Sequence, residues 1–203
     1  MSALKIDMCV VGGAGHVGLP LALSFANTGM NVLIYDKNEA AREGIFRGDM
    51  PFAEEGGEEL LTRVLAAGRL FYTSNPSEIP DSSVLVVTIG TPVDEFLNPV
   101  QKVVQECFSE LMPHLSDDRL VILRSTIYPR SLEWLDSYLK KEGKNPLLAF
   151  CPERVVQGKA IKELAELPQI VSGTTPAAGT FTSIAFTDST ITADGVTITD
   201  NVI

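Results

Sequence analysis

Cationic residues are few in this 203-residue chain: 16 Lys and Arg stand against 26 Asp and Glu, a net charge of −10. General nucleic-acid binding needs a basic face, and this balance argues against it. Acidity does not bar anionic ligands, because the free amides of a helix N-terminus attract phosphate locally. Cysteine is scarce too. Cys9, Cys107 and Cys151 are an odd number without framework spacing; they predict a reducing compartment and no disulfide scaffold. Long apolar runs are missing, and no stretch approaches the ~20 residues of a membrane span. The opening MSALKIDMCVVGG holds one lysine and a short apolar run that closes on glycines. It reads as a first strand, not a signal peptide. The expectation is a soluble, cytoplasmic protein with no membrane and no nucleic-acid partner.

What is present is enough apolar material for a core, 45% of residues, in a chain of one good-sized domain. Short apolar runs alternate with longer amphipathic ones. KIDMCVVG, NVLIYD, RLFYTS, SVLVVTIG, RLVILRST and PLLAF read as strands, and SVLVVTIG has the continuous apolar character of a parallel interior strand. HVGLPLALSFANTG, KNEAAREGIFRG, GGEELLTRVLAAG, NPVQKVVQECFSELMPHL and RSLEWLDSYLKKEG carry helical spacing. GKAIKELAEL adds a short helix and QIVSG a possible last strand. The alternation predicts an α/β fold of the Rossmann type, a doubly wound parallel sheet with helices on both faces. The texture changes at about Gly173. Residues 174–203 are rich in Thr, Ser, Ala and Asp and hold no Lys or Arg. Alternation around Asp194-Gly195 suggests a β-hairpin, and composition leaves a β-type tail and a disordered one both open. The expected division is residues 1–173 as the main domain and 174–203 as an atypical tail.

The first chemical signal is VVGGAGHVGLP, which contains Gly13-x-Gly15-x-x-Gly18 after a strand and at the opening of a helix. Alone the pattern is weak, but this is the context that a dinucleotide fingerprint requires. Gly13 is expected to permit the tight turn, Gly15 to let a pyrophosphate approach the backbone, and Gly18 to allow close packing of helix on strand. The amides near His16 and Val17 then face the phosphates. Asp36 ends the second strand 18 positions after Gly18, near the usual interval of about 20. A carboxylate there accepts from a ribose hydroxyl and repels a 2′-phosphate, which favours NAD over NADP. Lys37 and Arg42 lie close by and weaken that choice, and either can equally be a solvated charge. His16 is expected to contact cofactor; proton transfer would need a placed partner.

Ligands of open parallel sheets gather at the carboxyl ends of the strands, and three further strand ends here carry polar signatures. Gly90-Thr91-Pro92 closes one with small residues and a hydroxyl suited to a cofactor groove. Ser125 and Thr126 close another, where their hydroxyls can hold a nicotinamide ribose or a water, or simply cap the chain. The third is LLAFCPERVVQGKA, with Cys151, Glu153, Arg154 and Val155. Cys151 tempts as a nucleophile, yet free cysteine usually packs as a small hydrophobe. No metal ligand is expected among these residues.

VVGGAGHVGLPLA, GTPVDEFLNP, RSTIYPRS and CPERVVQGKAIKEL, in this order and spacing, resemble the N-terminal NAD-binding domain of the UDP-glucose/GDP-mannose dehydrogenase family over roughly Lys5 to Gly173. DEFLNP and CPERV look closest to the branch acting on UDP-N-acetylmannosamine (UDP-ManNAc). The resemblance implies oxidation of the primary alcohol of a UDP- or GDP-sugar to a carboxylate with two NAD in succession. It implies cofactor contacts at His16, Val17, Asp36, Thr91 and Thr126, and substrate contacts at Arg154 and Val155. It makes Glu153 a candidate for handling protons or water during thioester hydrolysis, with Thr126 beside it as a catalytic candidate. Cys151 has no counterpart as nucleophile.

The departures are equally informative. The family's catalytic cysteine lies in a Gly-rich motif well beyond this region, with a lysine on the intervening helical domain, and nothing in 174–203 resembles either. RSTIYPRS lacks the Pro-Gly-Thr usual after Ser-Thr. The expectation is the NAD-binding half of a nucleotide-sugar dehydrogenase, inactive alone, with apolar surface that can drive self-association. Two alternatives stand beside it: a non-catalytic dinucleotide-binding module or scaffold with a β-rich tail, and a different Rossmann dehydrogenase, such as one acting on hydroxy acids. The CPERV and GTPVDEFLNP matches count against the last.

Overall fold

The computed structural model describes residues 5–80, 84–90, 101–127 and 130–173, together with the strands 190–193 and 196–199. Seven strands form one sheet: β1 (Met8–Val11), β2 (Val32–Tyr35), β3 (Leu70–Thr73), β4 (Val84–Val87), β5 (Leu120–Leu123), β6 (Leu147–Phe150) and β7 (Ser172–Gly173). Their order is β3-β2-β1-β4-β5-β6-β7. Neighbours pair in parallel from β3 through β6, and β7 closes the edge antiparallel to β6. The helices are α1 (Gly18–Asn27), α2 (Glu39–Arg47), α3 (Gly57–Ala67), α4 (Gln101–Leu111), α5 (Ser131–Lys141) and α6 (Ala160–Glu166). This is the doubly wound architecture that the alternation predicts. Strands β8 (Thr190–Ala193) and β9 (Val196–Thr199) pair antiparallel in a separate two-stranded sheet. The Asp194-Gly195 turn between them and the rest of 174–203 lie outside the described residues.

The sequences of the strands explain their places. β1, β2, β4 and β5 are apolar at every position and buried at every position, as a strand with helices on both faces must be. Alternation divides each strand between two cores. Met8 and Val10 face α1 and α3, with Val32, Ile34, Val84 and Val86 beside them. Cys9 and Val11 face Phe108 and Leu111 of α4 and Leu135 of α5, with Leu33, Tyr35, Leu85 and Val87. The edge strand β3, and β6 next to the short edge strand β7, are only partly covered. No helix among the described residues is long and apolar enough to cross a membrane.

Register sets up the site. Val11 pairs with both Tyr35 and Val87, Tyr35 with Thr73, Val87 with Leu123, and Leu123 with Phe150. All six strands therefore stop on one line, and the residues just beyond it (Gly12, Asp36, Ser74, Thr88, Arg124 and Cys151) form one rank across the top of the sheet. Crossovers run to one side after β1 and to the other after β4, which opens a crevice above these two strands.

Candidate cofactor and substrate site

The turn after β1 is held from both sides. Gly12 donates its N–H to Tyr35 O (2.8 Å), and Thr88 donates its N–H to Val11 O (2.9 Å). The Thr88 hydroxyl reaches both Val11 O (2.8 Å) and Gly12 O (3.1 Å). The left-handed residue of this turn is Gly12, φ +76°, not Gly13, to which the sequence pattern assigns the tight turn. Gly13 is needed for a different reason: a Cβ there would stand 2.9 Å from Ile34 Cγ2 and from Val10 O. At Gly18 a Cβ would stand 2.6 Å from Gly12 O and from Gly13 Cα, so helix and turn touch backbone to backbone, the close packing expected of that position. Gly15 differs from both. The nearest protein atom to a Cβ there is Gly12 O, at 3.6 Å. The protein itself leaves room for a side chain at Gly15, and the space above this backbone is the open cradle that a phosphate requires.

The helix behind the turn is built for an anion. Val17 stands at the N-cap of α1, no side chain caps the helix, and its first turn holds no acidic residue. The orphan N–H groups and the positive end of the helix dipole are left for a ligand. Asp36 lies on the lip of the same turn. Its Oδ2 accepts the Ala14 N–H (3.0 Å) and its Oδ1 the Asn38 N–H (3.0 Å), leaving lone pairs on both oxygens for ribose hydroxyls. His16 is exposed and stacks on Phe52, ring centroids 4.1 Å apart. The two nearby cations are already engaged: Lys37 Nζ lies 2.6 Å from Glu110 Oε1, and Arg42 Nη1 3.3 Å from Glu39 Oε2. Gly90 is exposed with open space around it; Thr91 and Pro92 lie outside the described residues.

At the β5 and β6 ends the structure assembles a group in which the sequence marks only some members. Arg124, 2% exposed, directly precedes Ser125. Its guanidinium pairs with Glu153 through Nη2 and Oε2, and its Nη1 donates to Cys151 Sγ (3.0 Å) and Gln169 Oε1 (2.8 Å). Glu153 Oε1 accepts the N–H groups of Arg154 (2.9 Å) and Val155 (3.1 Å). Both oxygens of Glu153 are thus engaged by a cation and two amides, which fixes the start of the loop after β6. Arg154 is exposed and its guanidinium donates to Pro168 O; Val155 is partly buried against the core. Ser125 donates its hydroxyl to Ile89 O, tying the β5 end to the β4 end, and Thr126 is exposed beside it. Burial pushes the Cys151 thiol up, against the opposing pull of Arg124. At 5% exposure Cys151 is a packed strand-end thiol.

The pattern of the UDP-glucose/GDP-mannose dehydrogenase family, NAD binding domain, matches residues 6–185. The chain belongs to this family. Among its relatives, the UDP-N-acetyl-D-mannosamine dehydrogenase of Methanococcus aeolicus is 34% identical over 170 residues, 82% of this chain and 38% of that protein. The UDP-glucose 6-dehydrogenase of Rickettsia felis is 28% identical over 162 residues, 79% of this chain and 36% of that protein. Among solved structures, the UDP-D-ManNAc dehydrogenase of Pyrococcus horikoshii superposes with a TM-score of 0.76 at 28% identity, covering 83% of this chain and 41% of that one. The chain thus spans well under half the length of the relatives it matches.

As an NAD-binding domain of this family, the chain shows which members of the site its sequence conceals. Thr88, Gln169 and Phe52 carry no motif of their own, and Arg124, though it opens RSTIYPRS, is not singled out there; strand register and loop docking bring all four to the crevice. Phe52 leads from the cofactor turn toward the loop after β6, because its neighbours Glu54 and Glu55 reach that loop: Glu54 Oε1 accepts the Ile161 N–H (3.0 Å) and Glu55 donates its N–H to Gly158 O (2.9 Å). The segment without the family's Pro-Gly-Thr still makes a left-handed turn. Arg130 takes φ +70°, the one positive φ at a non-glycine among the described residues.

Proposed function

We propose that residues 5–173 are the cofactor-binding half of a nucleotide-sugar 6-dehydrogenase that oxidises UDP-ManNAc, or a closely related UDP-sugar, to its uronic acid. The observation that carries this reading is the shared rank of strand ends: the phosphate turn and Asp36 stand at one side of the crevice and the Arg124–Glu153 group at the other. Bound in this crevice, NAD would supply the hydride acceptor for oxidation of the sugar alcohol. The amides of His16, Val17 and Gly18, above the open backbone at Gly15, would hold its pyrophosphate, and Asp36 would hold the adenosine ribose. Gly90, Ser125 and Thr126 line the crevice toward the substrate side, with Thr126 suited to hold a hydroxyl or a water; Thr91 and Pro92, outside the described residues, remain cofactor candidates by sequence. Arg154 and Val155 meet the sugar nucleotide from the loop that Glu153 anchors. Glu153 handles a proton only after substrate loosens one of its present bonds, because Arg124 and two amides now occupy both oxygens. Val156 and Ile170, apolar and 59% and 48% exposed, give the neighbouring surface a reason to associate, with a second copy in this reading.

The test is calorimetry with NAD followed by a turnover assay. The 203-residue chain is expected to bind NAD at micromolar to submillimolar concentration and to lose at least tenfold in affinity on Asp36→Ala. With UDP-ManNAc it is expected to form NADH only at a negligible rate. Absence of NAD binding overturns the reading, and NADH formation at an ordinary enzymatic rate overturns the assignment of this chain as a half-site.

A further inference from the structure

The positions of the two cations after β2 bear on cofactor choice, and Asp36 alone does not account for them. Lys37 directly follows Asp36 at a bend just beyond β2, and there the two side chains part. Asp36 turns to the α1 face, where its Oδ2 meets Ala14 N–H at 3.0 Å. Tyr35 and Lys37 turn to the α4 face, and Glu110 receives both: the Tyr35 hydroxyl donates to Oε2 (3.1 Å) and Lys37 Nζ to Oε1 (2.6 Å). Tyr35, 3% exposed, is packed against α4 and holds the Glu110 carboxylate in place. The other nearby cation, Arg42, is drawn to Glu39 in the first turn of α2. The N-terminus of α2 is itself closed by the Asn38 side chain, which accepts the Ala41 N–H at 3.1 Å. Lys37 and Arg42, the two cations next to Asp36, are thereby paired with carboxylates, and the end of α2 is capped.

We propose that Glu110 is a specificity-determining residue: by holding Lys37 on the α4 face it denies a 2′-phosphate its nearest cation, and so reinforces the choice of NAD over NADP that Asp36 makes by repulsion. An Asp at the end of β2 guards the ribose only if the lysine next to it cannot swing over and neutralise the phosphate. A mobile ammonium on a four-carbon stem does this readily unless it is tethered. Glu106 lies one turn earlier on α4 and pairs with Lys102 (3.6 Å), so it provides a control of equal charge that makes no bond to Lys37.

This inference rests on the cofactor reading above, and one set of titrations separates the two. NAD and NADP are titrated calorimetrically into the 203-residue chain, into Asp36→Ser, and into Asp36→Ser combined with Glu110→Gln, with Glu106→Gln, and with Glu110→Gln plus Lys37→Met. In the Asp36→Ser background, Glu110→Gln is expected to tighten NADP about fivefold and to leave NAD within twofold. Glu106→Gln, whose charge acts on Lys37 only from a distance, is expected to leave NAD unchanged and to move NADP far less than Glu110→Gln does, and Lys37→Met to cancel the gain. Unchanged NADP affinity in Glu110→Gln, an equal gain in Glu106→Gln, or a gain that survives Lys37→Met overturns the role of Glu110 while NAD binding by the unaltered chain still stands. Failure of the unaltered chain to bind NAD overturns both.

Discussion

Gly15 and Gly18 answer to different constraints although one motif contains both. A methyl group at Gly18 would meet the Gly12 carbonyl and the Gly13 Cα at 2.6 Å. These are backbone atoms, and they yield only by moving α1 off the sheet; overpacking of this kind costs roughly 1–3 kcal/mol. At Gly15 the nearest atom is 3.6 Å away, and its φ lies outside the left-handed range that favours glycine. Gly15→Ala is therefore expected to leave the urea midpoint unchanged, within about 0.5 kcal/mol, while lowering NAD affinity at least tenfold. Gly18→Ala is expected to lower both. Paired urea melts and NAD titrations check this. A large stability loss at Gly15 would mean that the cradle serves the protein's own packing. The same contrast marks what a sequence conceals at this scale: the motif gives three glycines one rank, and only the backbone φ of +76° shows that Gly12 makes the left-handed turn.

The helices that flank Asp36 begin in opposite ways, and the difference has a measurable consequence. α2 is capped by Asn38 and carries Glu39 in its first turn, whereas α1 has Val17 at its N-cap and no acidic residue behind it. A valine at an N-cap is a poor choice for a helix alone, since an Asp or Asn there typically adds about 1 kcal/mol. The deficiency is intelligible if an anion supplies the missing cap. Val17→Asp should weaken NAD binding at least tenfold, because the new carboxylate repels the pyrophosphate, and should leave the melting temperature nearly unchanged, because Leu19 N–H already donates to Gly15 O (2.9 Å) and Pro20 has no N–H to cap. Thermal melts and calorimetry on the one variant check both halves; unchanged NAD affinity would move the phosphates away from this helix. Elements of this kind were the most legible part of the chain. The parallel strands announce themselves as unbroken apolar runs because both faces are covered, and the fingerprint lies in its strand-turn-helix context. The Arg124 group was not legible, because residues 124, 151, 153 and 169 meet only through the register of β5 on β6 and the return of the chain to β7. Lys37 and Arg42 were visible as charges near the ribose; their commitment to Glu110 and Glu39 depends on the bend just beyond β2 and on α4 packing, which no local motif encodes.

For the whole molecule, the core between the sheet and α4 and α5 encloses groups that ionise in alkali, and their burial makes the fold lose stability as pH rises. Burial pushes the Cys9 thiol from 9.0 up to about 12, against a smaller pull from Arg119. Burial and then the Glu110 charge push Cys107 to about 12 as well, and burial with the Glu110 hydrogen bond does the same for Tyr35. Each group keeps its proton in the folded chain and loses it in the unfolded chain above pH 9 or so. The folded state then binds more protons, and stability falls as pH rises. The contribution is fully present below the unfolded values, declines through the window from about 9 to about 12, and is lost above it. Cys9 alone accounts for a slope of about 1.4 kcal/mol per pH unit in that window. Cys9→Ala lowers stability at every pH by opening a cavity, yet its stability should fall less steeply with pH than that of the unaltered chain, by about this amount between pH 9 and 11. Urea denaturation under reducing conditions at pH 8, 9, 10 and 11 measures both slopes. Parallel slopes would mean that Cys9 meets solvent before the sheet opens, so that the layer between β1 and α4 is less closed than its packing implies.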